Sequence, residues 1–319
     1  MPPMSMKLRR SDYDVTNTVQ TTDAASVAHE VLNVFQLLYP QYPVAPLERA
    51  FQDWQRLFEG EFPGFMACDT PYHDLQHTLD VTLAMARLIR GYEKKHQEIG
   101  PLGALLGLIT ALFHDAGYVR SWHDVRHHNG AELTRVHVSR SAIFLDKYLP
   151  TVGLQHGASI CRKLVHFTGY EVAISEIELE DAKLRSLGKL IGTADLLAQM
   201  SDRCYLEKCR DRLYPEFVAA GMASPDGPHG GYPTAEDFLI KTPFFFAGVK
   251  NRLDKSLGGV HAYMPGYFQD GDNPYQHAIE LNQTYLDGLI KANDLTLLRR
   301  IPPWTLPNKG FPIDVTIYR

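Results

Sequence analysis

Apolar residues recur along most of the chain at the three- and four-residue steps of a helix. Within 24–38 they are Val27, Val31, Val34, Phe35 and Leu38. Pro46 is placed to open a second helix, which runs through Phe51, Trp54 and Leu57. The same pattern predicts helices over about 75–92, 101–116, 131–148, 155–167, 182–218, 235–257 and 275–292. The longest apolar run, 102–113, reads as a central buried helix, where Gly103 and Gly107 let a neighbouring helix approach closely. Strand signals are scarce, and only 311–318 alternates weakly enough to suggest an extended segment. There is no internal repeat. The Gly/Pro-rich stretch 221–233 reads as a surface loop. The expected fold class is all-α. A polar, mobile N-terminal segment over 1–22 precedes one helical domain over 23–300 and an extended tail over 301–319.

Composition narrows the class. Of 319 residues, 45% are hydrophobic and 22% charged, which suits a globular protein and excludes a disordered one. The net charge of −5 argues against a broad nucleic-acid surface. The apolar run falls far short of the roughly 20 residues that a membrane span needs. Lys7, Arg9 and Arg10 precede no apolar signal core, so a soluble cytoplasmic protein is expected. Cys68, Cys161, Cys204 and Cys209 form no C-x-x-C pair and read as free thiols.

The 14 histidines change the picture. His73 and His77 stand four apart, so on a helix they share a face. His114-Asp115 ends the apolar run, and Asp195 lies inside another apolar helix. A carboxylate in such surroundings is costly unless something neutralises it. Two such carboxylates with helix-borne histidines point to a divalent metal site. His123, His127 and His128 fall in a loop and read as solvated.

Tyr72-His73-x-x-x-His77, His114-Asp115 and Thr193-Ala194-Asp195 together resemble the HD superfamily of metal-dependent phosphohydrolases. The layout is most similar to the catalytic domain of cyclic nucleotide phosphodiesterases, over roughly residues 70–260. The resemblance implies an all-helical bundle and a hydrolase of phosphoric esters. It makes His77, His114, Asp115 and Asp195 ligands of one metal. Asp115 would bridge to a second, held by His137 and His166. The cofactor is then one or two divalent ions of manganese, iron, zinc or magnesium.

His73 would be the acid that protonates the leaving group, working beside Asp115. Asp74 stands where these enzymes usually have Asn, and an anion there would keep His73 charged. Tyr72 and Lys163 are candidates for binding substrate, with Arg126 and Arg203 as further cations. The partner is a small phosphate ester, nucleotides included, with no membrane. The stretch 234–239 lacks the Gln that clamps a cyclic nucleotide base, which counts against that substrate. Phe244, Phe245 and Phe246 read as core rather than as a wall for a base. Two alternatives stay open: a diiron oxygenase using the same six ligands, and a non-catalytic metal-stabilised binding module. Residues after 260 pack back on the bundle or make a homodimer contact.

Overall fold

Helix α1 (Ala24–Leu38) begins where the Asp23 carboxylate accepts hydrogen bonds from the Ala25 and Ser26 amides. Its apolar stripe, Val27, Val31, Val34 and Phe35, is buried. Helix α2 (Ala45–Glu59) opens with Pro46 and closes at Gly60 in the left-handed conformation. Helix α3 (Leu75–His96) is capped by Asp74, and α4 (Gly100–Leu112) is buried along most of its length. The remaining helices are α5 (His137–Tyr148), α6 (Ala158–Leu164), α7 (Ala182–Ser201), α8 (Tyr205–Lys208), α9 (Tyr214–Ala219), α10 (Ala235–Asn251) and α11 (Pro274–Ala292).

This is a computed structural model describing residues 8–225, 231–269 and 271–307. The fold is all-α: among the described residues there is no strand, only isolated bridges at Tyr13–Gln20 and Phe65–Ser121. Nor is any of their helices long and apolar enough to cross a membrane. All four cysteines are free and buried. The expected extended segment 311–318 lies outside the described residues.

Helix α3 is the axis of the bundle. It packs against α1, α4, α7 and the 3₁₀ helix Val260–Gly266. Leu79, Leu83, Met85 and Leu88 are wholly buried in it. Gly107 admits a neighbour as expected, since a Cβ there would lie 2.6 Å from Leu187 Cδ1 of α7. Gly103 does not, because its space is filled by Ile99 of its own first turn.

Several expected helices are interrupted. The 101–116 helix ends at Leu112, and residues 113–115 turn away before a 3₁₀ turn, Ala116–Tyr118. The 131–148 helix is a 3₁₀ turn, Gly130–Leu133, followed by α5. The 182–218 helix stops at Asp202, whose carboxylate accepts from the Cys204 amide at 2.7 Å and pairs with Lys208 at 2.5 Å. Asn282 of α11 donates to the carbonyls of Met200 and Asp202, holding the break open.

Neither end of the described chain is loose. Residues 8–22 were expected to be mobile, yet Asp14 is buried and pairs with Arg87 of α3 at 2.8 Å. The same carboxylate accepts from the Thr18 and Val19 amides and the Thr16 hydroxyl. At the other end, the Pro302 and Pro303 carbonyls accept from Arg212, and the Thr305 hydroxyl donates to Asp74 at 2.7 Å.

Candidate metal centre

Three helix ends and one helix middle converge on Asp115. Asp74 caps α3 by accepting from the His77 amide at 2.9 Å, which fixes that first turn. His77 Nε2 then lies 3.3 Å from Asp115 Oδ2 and 3.6 Å from Asp195 Oδ1 of α7. The turn after α4 swings His114 Nε2 to 3.1 Å from the same Asp115 oxygen and 3.8 Å from Asp195 Oδ1. From the start of α5, His137 Nε2 approaches the other Asp115 oxygen, Oδ1, at 3.7 Å. Imidazoles therefore flank both oxygens of one carboxylate.

The tautomers suit a cation. His114 Nδ1 donates to the Ala111 carbonyl at 2.7 Å, and His137 Nδ1 to that of Thr134 at 2.6 Å. A carbonyl only accepts, so each Nδ1 carries a proton, and each Nε2 offers a lone pair when its ring is neutral. His114 Nε2 and Asp115 Oδ2 are buried and make no hydrogen bond. Orphaned polar atoms of this kind are expensive to bury. Ligand atoms of His77, His114 and Asp115 lie within 4.8 Å of one another, so these three residues could hold a metal ion.

Burial works against a charged His114, but Asp115 and Asp195 outweigh it and raise its pKa to about 9. Burial likewise opposes the Asp115 carboxylate, yet His114 and His77 keep it well below the usual range. At His137 burial wins over Asp115 and lowers the pKa, favouring the neutral ring.

His73, one residue before the α3 cap, is tied differently. Its Nδ1 lies 2.5 Å from Glu216 Oε2, a wholly buried carboxylate of α9. The other Glu216 oxygen accepts from the Tyr72 and His73 amides at 2.6 and 3.3 Å. Burial disfavours charge on His73, but Glu216 outweighs it and the pKa is raised. The charge partner is thus Glu216, not Asp74 as the sequence suggested. Asp74 is occupied with the α3 cap, Arg212 and Thr305. The ring of Tyr118 stacks on His73 at 4.2 Å and on His137 at 4.4 Å, joining His73 to the residues around Asp115.

A cavity of about 500 Å³ opens over these residues. Its floor includes Tyr72, His73, His77, Asp115, His137 and Asp195. Aromatic side chains, Tyr232, Phe238 and Phe245, and two cations, Arg135 and Lys241, also line it. The Phe244–Phe246 run is split: Phe246 is core, Phe245 lines the cavity and Phe244 is 79% exposed.

Two candidates stand apart. His166 lies on the 3₁₀ turn Val165–Phe167, half-buried and outside both the cavity lining and the ligand cluster. Phe167 takes the α7-facing position of that turn, against Gly188, and at about three residues per turn the adjacent His166 points elsewhere. Lys163 is exposed and donates to the Glu178 carbonyl at 2.9 Å, because its helix presents it to solvent. Arg126 and Arg203 do not line the cavity either. Tyr72 does line it, with its hydroxyl held by Gln199 at 3.1 Å.

Sequence reasoning missed Glu216, Tyr118, Arg135 and Lys241. Glu216 carried a usable signal, a carboxylate enclosed by Tyr214, Pro215, Phe217 and Val218, the same anomaly that marked Asp195. Compared with models of protein families and with curated proteins, the chain matches none of them.

Proposed function

We propose that the chain is a metal-dependent phosphohydrolase of the HD type, acting on a small phosphate ester. The observation that carries this reading is the pairing of two units in one cavity: imidazoles on both sides of Asp115, and the separate His73–Glu216 pair beside them. His77, His114, Asp115 and Asp195 would hold a divalent ion, with His137 on the far oxygen of Asp115. Such an ion, when bound, supplies a Lewis acid for the phosphoryl oxygen and lowers the pKa of water.

The chain's own residues do the rest. Glu216 accepts from His73 Nδ1 and so leaves Nε2 as the nitrogen that can carry a proton toward a leaving oxygen. Tyr118 keeps that ring from rotating by stacking on it and lies 3.4 Å from Nε2 through its hydroxyl. Tyr232, Phe238 and Phe245 offer flat apolar surface to the organic part of the ester. Lys241 and Arg135 are placed to meet its negative charge. The oxygenase alternative requires His166 as a sixth donor. His166 neither lines the cavity nor pairs with Asp115 or Asp195 as His77, His114 and His137 do, which supports the hydrolase.

The test is metal analysis of the purified protein together with phosphate release from a panel of phosphomonoesters and diesters. Near-stoichiometric metal and turnover that Asp115→Ala abolishes are expected. A protein that stays metal-free after reconstitution, or a loaded one that releases no phosphate, would overturn the reading.

A further inference from the structure

Beside the cavity, a second groove of about 690 Å³ runs along α7. Tyr170, Ser175, Arg185, Lys189, Asn251 and Arg252 help to line it. The charge is one-sided: three cationic side chains line it and no acidic one does. Arg185 and Lys189 stand four apart on α7 and so share a face. Arg185 gives one N–H to the Leu179 carbonyl.

Arg252 adds an independent observation. It is only 8% exposed, and no carboxylate neutralises it in the groove. Nη2 donates to the carbonyls of Phe167, Thr168 and Gly169, while Nε is buried without a partner. The Tyr170 ring covers the guanidinium at 4.0 Å. A buried guanidinium whose partners are neutral carbonyls retains an uncompensated charge, and an oxyanion is the ligand that compensates it.

The groove is separate from the metal centre but shares a wall with it. Gly192 lets the Phe167 carbonyl descend onto α7, since a Cβ there would lie 2.3 Å from that oxygen. The following residues, Gly169 and Tyr170, consequently line both spaces. We propose that this groove is an anion site that takes a phosphate group independently of any metal. The inference does not rest on the phosphohydrolase reading, because neither Asp115 nor any histidine contributes to it.

The test is calorimetric titration of the chelator-treated full chain with tripolyphosphate and inorganic phosphate at low ionic strength. Tripolyphosphate is expected to bind wild-type protein and Asp115→Asn alike. Arg185→Ala/Lys189→Ala is expected to bind it weaker by roughly tenfold or more. Circular dichroism checks that the double variant folds, and Arg185→Gln/Lys189→Gln replaces it if it does not. Three results would overturn the proposal: no binding to wild type at millimolar anion, binding indifferent to the double substitution, or binding lost in Asp115→Asn. The source of the phosphate is read with metal-loaded protein. A KM raised by the double variant only for esters bearing a second phosphate makes the groove the seat of the substrate's own tail. An unchanged KM for all esters makes it the seat of a separate phosphate ligand, and the site stands in both cases.

Discussion

In the proposed reading a histidine of this site is either a ligand or an acid, and its second nitrogen decides between them. At His114 and His137 a neutral carbonyl holds Nδ1, so in the neutral ring the Nε2 lone pair is left for a cation beside Asp115. At His73 an anionic carboxylate holds it, which favours the charged ring. His73→Asn is therefore expected to keep the metal content of wild type while lowering kcat by about 10²–10⁴-fold, the usual contribution of a general acid. Glu216→Gln keeps a hydrogen-bonding group but removes the charge, so it should lower kcat in the same direction with little change in KM. Steady-state kinetics with metal analysis of each variant checks both. A metal-depleted His73→Asn would instead place His73 among the ligands. At this scale the sequence carried the anomalies, buried carboxylates and histidines four apart, but not the partner of each histidine. Glu216 is 143 residues from His73 in the chain, and only the folded contact connects them.

At the scale of elements, periodicity located the helices and mislaid their ends. Leu112 is followed by Phe113, His114 and Asp115, over which the expected helix ran on and the observed one does not. That early stop is what points His114 Nε2 at Asp115. The break at Asp202 is likewise invisible in hydrophobic spacing, because it depends on Lys208 and Asn282. Packing between elements hangs on small residues. Gly192→Ala gains up to about 1 kcal/mol of helix propensity. It also drives a Cβ to 2.3 Å from the Phe167 carbonyl oxygen, a backbone atom that cannot swing aside. Overpacking of this kind costs typically about 1–3 kcal/mol, so the clash wins. Urea denaturation is expected to show net destabilisation, and a neutral or stabilised Gly192→Ala would mean that the 167–170 turn yields freely.

For the whole molecule, both ends of the described chain converge on the helix that carries His77. Ser11 accepts from Gln76 through its carbonyl, Asp14 pairs with Arg87, and Thr305 reaches Asp74 at the opposite end of the chain. Hydrophobic patterning gave no hint of this, since the fastening is polar and joins residues from 65 to 231 positions apart. It makes acid stability a property of the terminal segment. Burial raises the Asp14 pKa, but Arg87, Thr16 and the Val19 amide outweigh it, so the folded value is depressed. A depressed carboxylate contributes stability that is fully present above its unfolded pKa, about 3.9, and is lost as pH falls through the folded value. Asp14→Asn leaves Arg87, which is 1% exposed, without its counter-charge. Removing one partner of a buried pair costs roughly 3–5 kcal/mol. The expected result is a stability gap between wild type and Asp14→Asn that is constant above about pH 5 and narrows once the pH drops below the unfolded pKa. Denaturant melts at a series of pH values measure it. A gap that persists unchanged into acid would show that the segment is held by packing alone, and that the ion pair with Arg87 contributes nothing to fastening α3.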